Sequence, residues 1–178
     1  MRFNPIPLMA AMLLFTLSST AQDDSRYNLF LKSGTVIPSK NITAAGLNEF
    51  NNKTAKGGSP VLAIIQFEQL PAEYQKQQLL QSGIVLLDYV PNNAYTASIS
   101  SQLDATILTQ LQVRSVTELT ASQKMQPALA TGIFPPHAVK ANGTVDVWIS
   151  FPRTYTFERV KQELQARNFD IQSTLFKE

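Results

Sequence analysis

Few residues in this sequence have the type and spacing to do chemistry. The single histidine, His137, sits in the proline-rich stretch FPPHAV. A general base must be held within hydrogen-bond reach of a nucleophile, and a zinc site needs several ligands at set spacing. No acid flanks His137, and a linker is a poor place to hold a base. Asp23 and Asp24 adjoin near the start of the mature chain, where ends fray, and read as solvated. Glu68 and Asp88 fall near strand ends. Paired carboxylates can share acid–base work, but nothing in the spacing brings these two together, and solvated strand ends are the plainer reading. The KGG at Lys56–Gly58 lacks the glycine spacing and the following helix of a phosphate loop. Cysteine is absent, which excludes thiolate ligands, cysteine nucleophiles and disulfides. No cofactor and no metal are implied. The remaining candidate is the polar knot DYVPNNAY, Asp88 to Tyr95, with one acid, two amides and two tyrosines.

The surrounding elements decide what that knot is. VLAIIQFE, from Val61, is β-branched and apolar on both faces and reads as a strand. PAEYQKQQLLQSG reads as a helix with Glu73 in its first turn, Gly83 as its stop, and Tyr74, Leu79 and Leu80 facing inward. Ile84–Val90 and Ala94–Ile99 are the next two strands. A second helix then places Leu103, Ile107, Leu108 and Leu111 at helical spacing, with Ser100, Ser101 and Asp104 as capping residues. VRSVTEL is the fourth strand. Strand, helix, strand, strand, helix, strand is the split βαβ order. It predicts an α+β, ferredoxin-like fold, with a four-stranded antiparallel sheet and both helices on one face. In that frame Val90–Asn93 is a hairpin turn of type I, with Pro91 second and Asn93 left-handed. Tyr89 and Tyr95 then pack together on one face.

Outside this module, residues 1–21 read as a secretory signal. Arg2 precedes an apolar core from Ile6 to Leu17, and Ser19 and Ala21 are the small residues of a cleavage site. That core is shorter than the roughly 20 residues a membrane-spanning helix needs; an uncleaved anchor is the alternative. The expected location is therefore secreted, either periplasmic or extracellular. Residues 22–59 read as a short hairpin followed by a polar, glycine-rich linker from Asn48 to Pro60. Residues 60–120 form the module and 121–143 a proline-containing linker. Residues 144–178 read as a partial second unit of strand, helix and strand, with Phe157, Val160 and Leu164 facing inward. The second unit weakly repeats the first: Phe67 and Phe151 each end a first strand, and half a split βαβ cannot close its own sheet. The net charge of +2 and the absence of long basic runs suggest no nucleic-acid partner. Three sequons, at Asn41, Asn52 and Asn142, matter only where secreted chains are glycosylated.

The stretch Gln66-Phe67, then Gly83 to Tyr95, then Val113 to Val116, resembles the fervidolysin-like N-terminal prodomain of secreted subtilisin-like serine proteases. The resemblance covers about Pro60 to Leu119 and, more loosely, MQPAL. It implies a non-catalytic module that helps a protease domain to fold and inhibits it, in cis or in trans. It further implies a protein-binding outer sheet face, for which Leu62, Ile64, Val85, Leu87, Tyr89 and Tyr95 are the candidates. An inhibitory tail after the last strand would be Met125, Gln126, Pro127, Ala128 and Leu129. The Asp, His and Ser motifs of the protease itself are absent. VLAII and IVLL are apolar on both faces, so the face without helices needs a cover. A protease, the N-terminal hairpin and the second half-unit are all open as that cover. A stand-alone structural or adhesion module is the rival reading.

Overall fold

The computed structural model describes residues 24–40, 42–57 and 59–172. The expected signal segment, Asp23, Asn41 and Gly58 lie outside those residues. The chain opens with a 3-10 turn at Asp24–Tyr27 and a short antiparallel hairpin, β1 (Leu29–Leu31) and β2 (Gly34–Val36), in which Leu29 faces Val36. The module follows: β3 (Val61–Phe67), α2 (Glu73–Gln81), β4 (Ile84–Val90), β5 (Ala94–Ile99), α3 (Ala105–Gln110) and β6 (Val113–Thr117). Its sheet has the order β4-β5-β3-β6, and all of its pairs are antiparallel. This is the ferredoxin-like arrangement that the order of elements predicts.

One expected linker is a helix. α1 spans Ala44–Gly57 and precedes the module. Its sequence is rich in asparagine and glycine, which disfavour helix, and its apolar stripe is only Leu47 and Phe50, both buried. Tertiary contacts outweigh the poor propensity. Thr43 caps the first turn by accepting the Gly46 N–H at 3.1 Å. The Asn51 carboxamide clamps the chain ahead of α3, donating to Leu103 O at 3.0 Å and accepting from Leu103 N at 2.7 Å.

The main core lies between the sheet and its helices. β3 contributes Ala63, Ile65 and Phe67, β5 contributes Ala97 and Ile99, and Leu47, Phe50, Leu79, Leu103, Leu108 and Leu111 close over them. In α2 only Leu79 points inward. Tyr74 is 67% exposed and Leu80 50%, so the expected inward set shrinks to one residue. The capping expected for α3 falls on Asp104, whose carboxylate accepts from Thr106 N at 2.6 Å.

Beyond β6 the chain runs through two 3-10 turns, at Ser122–Lys124 and Pro136–Ala138, and a short helix, α4 (Pro127–Thr131), before α5 (Phe157–Gln165). The strand expected at Val145–Phe151 is absent: only Val145 makes a bridge, to Val139. Phe169–Gln172, the start of the other expected strand, is also irregular, and the rest of that strand lies outside the described residues. A strand needs a neighbour to take its main-chain hydrogen bonds, and these segments lack one among the described residues. The expected helix is present, with Phe157, Val160 and Leu164 half-buried. No helix among the described residues is long and apolar enough to cross a membrane.

Two predictions follow from this framework. Gly83 has φ 75°, and a Cβ added there falls 2.5 Å from Ser101 Oγ and 2.8 Å from Ser101 Cβ. Gly83→Ala should therefore lower unfolding free energy by about 1–3 kcal/mol. Adding Ser101→Gly should recover only the steric part, as read by urea denaturation. Asp104 is held below the usual carboxylate range, first by the Thr106 N–H. Its contribution is therefore present above the unfolded pKa and fades as pH falls through the lower folded value. Thermal melts should show Asp104→Ala less stable at neutral pH and converging with the parent in strong acid.

Candidate protein-binding surface

The outer face of the sheet, opposite the helices, is divided. In β3 the odd-numbered residues meet the helices and the even-numbered ones turn outward. Leu62, Ser98 and Val85 lie side by side across β3, β5 and β4. Leu62 and Val85 are half-buried and Ser98 is buried. Ile64, two residues on, is already covered: with Ala94 it packs beneath Leu29, flanked by Leu31, Val36, Val90 and Leu119. The N-terminal hairpin is thus a cover for one end of this face.

The expected six-residue face does not hold together. The register of β4 on β5 slips between Leu86, opposite Ala97, and Tyr89, opposite Tyr95. One extra residue in β4 reverses the alternation. Leu87 sits in this bulge, and Tyr89 turns to the helix side instead of following Val85 and Leu87. There it stands edge-on to Tyr95, centroids 5.5 Å apart, and Tyr95 is edge-on to Phe67 at 6.3 Å. The tyrosines do pack together, but on the opposite face from Leu62, Ile64 and Val85.

The polar knot is a clasp. Asn92 has φ 71° and Asn93 φ 57°. Asn93 is left-handed as expected, but so is Asn92, where a type I turn over Val90–Asn93 needs a negative φ. The turn's amides bind the ends of its neighbours. Asn92 Nδ2 donates to Asn28 O at 2.6 Å, and Asn93 Nδ2 donates to Glu68 O at 3.2 Å. The buried Gln66 of β3 completes the clasp, with Nε2 donating to Tyr27 O at 2.9 Å and to Asn92 O at 2.8 Å. Beside it the Tyr27 hydroxyl donates to Glu68 Oε2 at 2.6 Å. The Arg114 guanidinium lies 3.9 Å over the Tyr27 ring and the same distance from Glu68 Oε1. That hydrogen bond to Glu68, reinforced by burial, pushes the Tyr27 hydroxyl pKa up. Nothing in the local sequence joins Tyr27, Gln66 and Arg114 as a unit; the one sign is Gln66, the single polar residue in the apolar run of β3.

The other chemical candidates stay apart. Glu68 is engaged by Tyr27 and Arg114, whereas Asp88 lies in the edge strand β4, with β5 between that strand and β3. His137 is exposed in its 3-10 turn. Asn52 is exposed on α1 and Asn142 in a turn. A cleft of about 470 Å³ between α1 and β6 has an apolar floor that includes Leu47, Phe50 and Val116. The acids at its rim, Glu49 and Glu118, both bind Lys53, at 3.2 and 2.9 Å. Among the described residues no group of three or more His, Asp or Glu is placed to hold a metal. The candidate tail is exposed, but it is not a continuous extended strand: Met125 and Gln126 are extended, and Pro127–Thr131 coil into α4. Proline at the first helical position favours that turn.

Residues 30–120 match a family described as a domain of unknown function, DUF8729. That span is more than half of the chain. The chain belongs to the DUF8729 family. The DUF8729 match begins within β1, just after Leu29, and runs through α1 and the ferredoxin-like module to beyond β6. No curated protein and no solved structure matches the chain.

The clasp makes a prediction for this DUF8729 domain. Gln66→Met leaves two main-chain carbonyls without their donor and should cost about 2–4 kcal/mol, with hydrogen exchange faster first in the β1–β2 hairpin. The Tyr27 contribution is present below the ordinary tyrosine pKa and is lost as pH rises through the raised folded value. Tyr27→Phe should remove that alkaline loss from the stability profile.

Proposed function

We propose that the chain is a secreted, non-catalytic binding module that assists the folding of a subtilisin-like serine protease and inhibits it, in the manner of the prodomains it resembles. The observation that carries this reading is the half-covered apolar outer face at Leu62 and Val85, next to the β4 bulge at Leu87. A sheet face of this kind accepts the flat, apolar side of another protein. The resemblance at Gly83–Tyr95 names the partner class. Met125 and Gln126, extended and exposed beyond β6, are the part of the proposed tail with the backbone of a bound peptide.

A second reading is a stand-alone structural or adhesion module without protease contact. It is favoured by two observations: the hairpin already occupies the face over Ile64, and Pro127–Leu129 are helical.

Titration of the purified chain into a secreted subtilisin-like protease discriminates between them. The inhibitor reading expects loss of activity and a stable complex at or below micromolar concentration. Leu62→Arg combined with Val85→Arg should weaken that complex about tenfold or more, since charges in the centre of an interface are strongly unfavourable. Full activity and no complex at micromolar concentration reject the inhibitor reading.

A further inference from the structure

The C-terminal segment repeats the pattern of the first half of the module. In β3 the residues that face the helices are Val61, Ala63, Ile65 and Phe67. Val145, Val147, Ile149 and Phe151 stand in the same order at the same alternate spacing. α2 and α5 begin at the same distance beyond Phe67 and Phe151, and each is nine residues long. Each helix is followed by a residue in the left-handed conformation, Gly83 at φ 75° and Asn168 at φ 62°. A strand and the start of a second are therefore spelled out around α5, yet residues 146–151 form no strand. Val147 is 40% exposed, Trp148 81% and Ile149 48%.

The module itself shows how such a half is satisfied. Its two halves, β3–α2–β4 and β5–α3–β6, join through their first strands, which run antiparallel with Val61 opposite Ile99 and Ala63 opposite Ala97. Helix-facing residues meet helix-facing residues across that seam. The segment Val145–Phe151 can make the same seam with itself. Centred on Trp148, an antiparallel pair sets Val147 opposite the second copy's Ile149, Val145 opposite its Phe151, and Asp146 opposite its Ser150. One face of the pair is then apolar throughout, no like charges oppose each other, and α5 of each copy supplies the cover with Phe157, Val160 and Leu164.

We infer that residues 144–172 are a self-association surface, on which two copies of the chain pair Val145–Phe151 across a twofold axis. The occupant is a second copy because the run is complementary to itself in the register used by β3 and β5. The surface lies outside the residues that the family match covers.

Trp148 is the chain's one tryptophan and sits at the predicted axis. Light scattering and Trp148 fluorescence, both measured across a concentration series of the full secreted chain, should change together, from a monomer with water-exposed emission to a dimer with blue-shifted emission. Ile149→Asp should raise the dissociation constant about a hundredfold, because it buries an unpaired charge, and should leave the melting of the module unchanged. The chain has no cysteine, so Trp148→Cys offers an independent reading. Directly opposed residues on antiparallel strands are about 4.5–5.5 Å apart at Cα, within disulfide range. Mild oxidation should therefore cross-link Trp148→Cys and leave Asn142→Cys monomeric. A chain that stays monomeric at high micromolar concentration overturns the inference. So does blue-shifted emission from a monomer, which means docking on the same chain, and so does equal cross-linking at both cysteine positions.

Discussion

The burial of one carboxamide, Gln66, constrains how the outer face of this domain closes. β3 is paired on both sides, with β5 and with β6, so a polar side chain on it cannot reach solvent at an edge. Gln66 is fully buried, and a buried amide must find partners or destabilise the fold. Its Nε2 finds the carbonyls of Tyr27 and Asn92, while its buried Oε1 has no hydrogen-bond partner. The hairpin that follows Tyr27 and the turn that holds Asn92 are thereby drawn to the same end of the sheet. The Tyr27–Glu68 hydrogen bond and the Arg114 guanidinium, over the Tyr27 ring and 3.9 Å from Glu68, add to the same joint.

That closure is local, which is why the outer face is asymmetric. At the Gln66 end, Leu29 covers Ile64 and Ala94. At the other end of β3 the Tyr155 hydroxyl donates to Pro60 O at 2.5 Å and Arg159 bonds Ser59, so the C-terminal segment is tethered where the sheet begins. Between these ends lie Leu62 and Val85, half-buried, beside the bulge of β4. Any partner on this face meets a short apolar strip bounded by two parts of the same chain.

The bulge shapes the surface from within. By reversing the alternation after Leu86 it moves Tyr89 to the helix side, where it stays half exposed and stands edge-on to Tyr95, itself edge-on to the core residue Phe67. Strict alternation would have put this aromatic on the outer face. The same local economy explains the asparagine turn, whose left-handed residues hold side-chain amides against the ends of β3 and the hairpin.

The sequence by itself determined the module. The apolar, β-branched runs from Val61 and Ile84, the alternation of Ala94–Ile99, the helical spacing of Leu103 to Leu111, the Asp104 cap and the Gly83 stop each express local backbone preference and binary pattern. Together these specify the ferredoxin-like order. Tertiary structure alone decided the rest. α1 forms because Leu47 and Phe50 gain a core that its asparagine-rich sequence does not announce. Tyr89 changes face because register depends on a partner strand. Gln66, Tyr27 and Arg114 become a unit only when residues distant in sequence meet. Val145–Phe151 carries a strand's pattern without being a strand among the described residues, because pattern can prescribe which side is apolar but only a neighbour can take up a strand's hydrogen bonds.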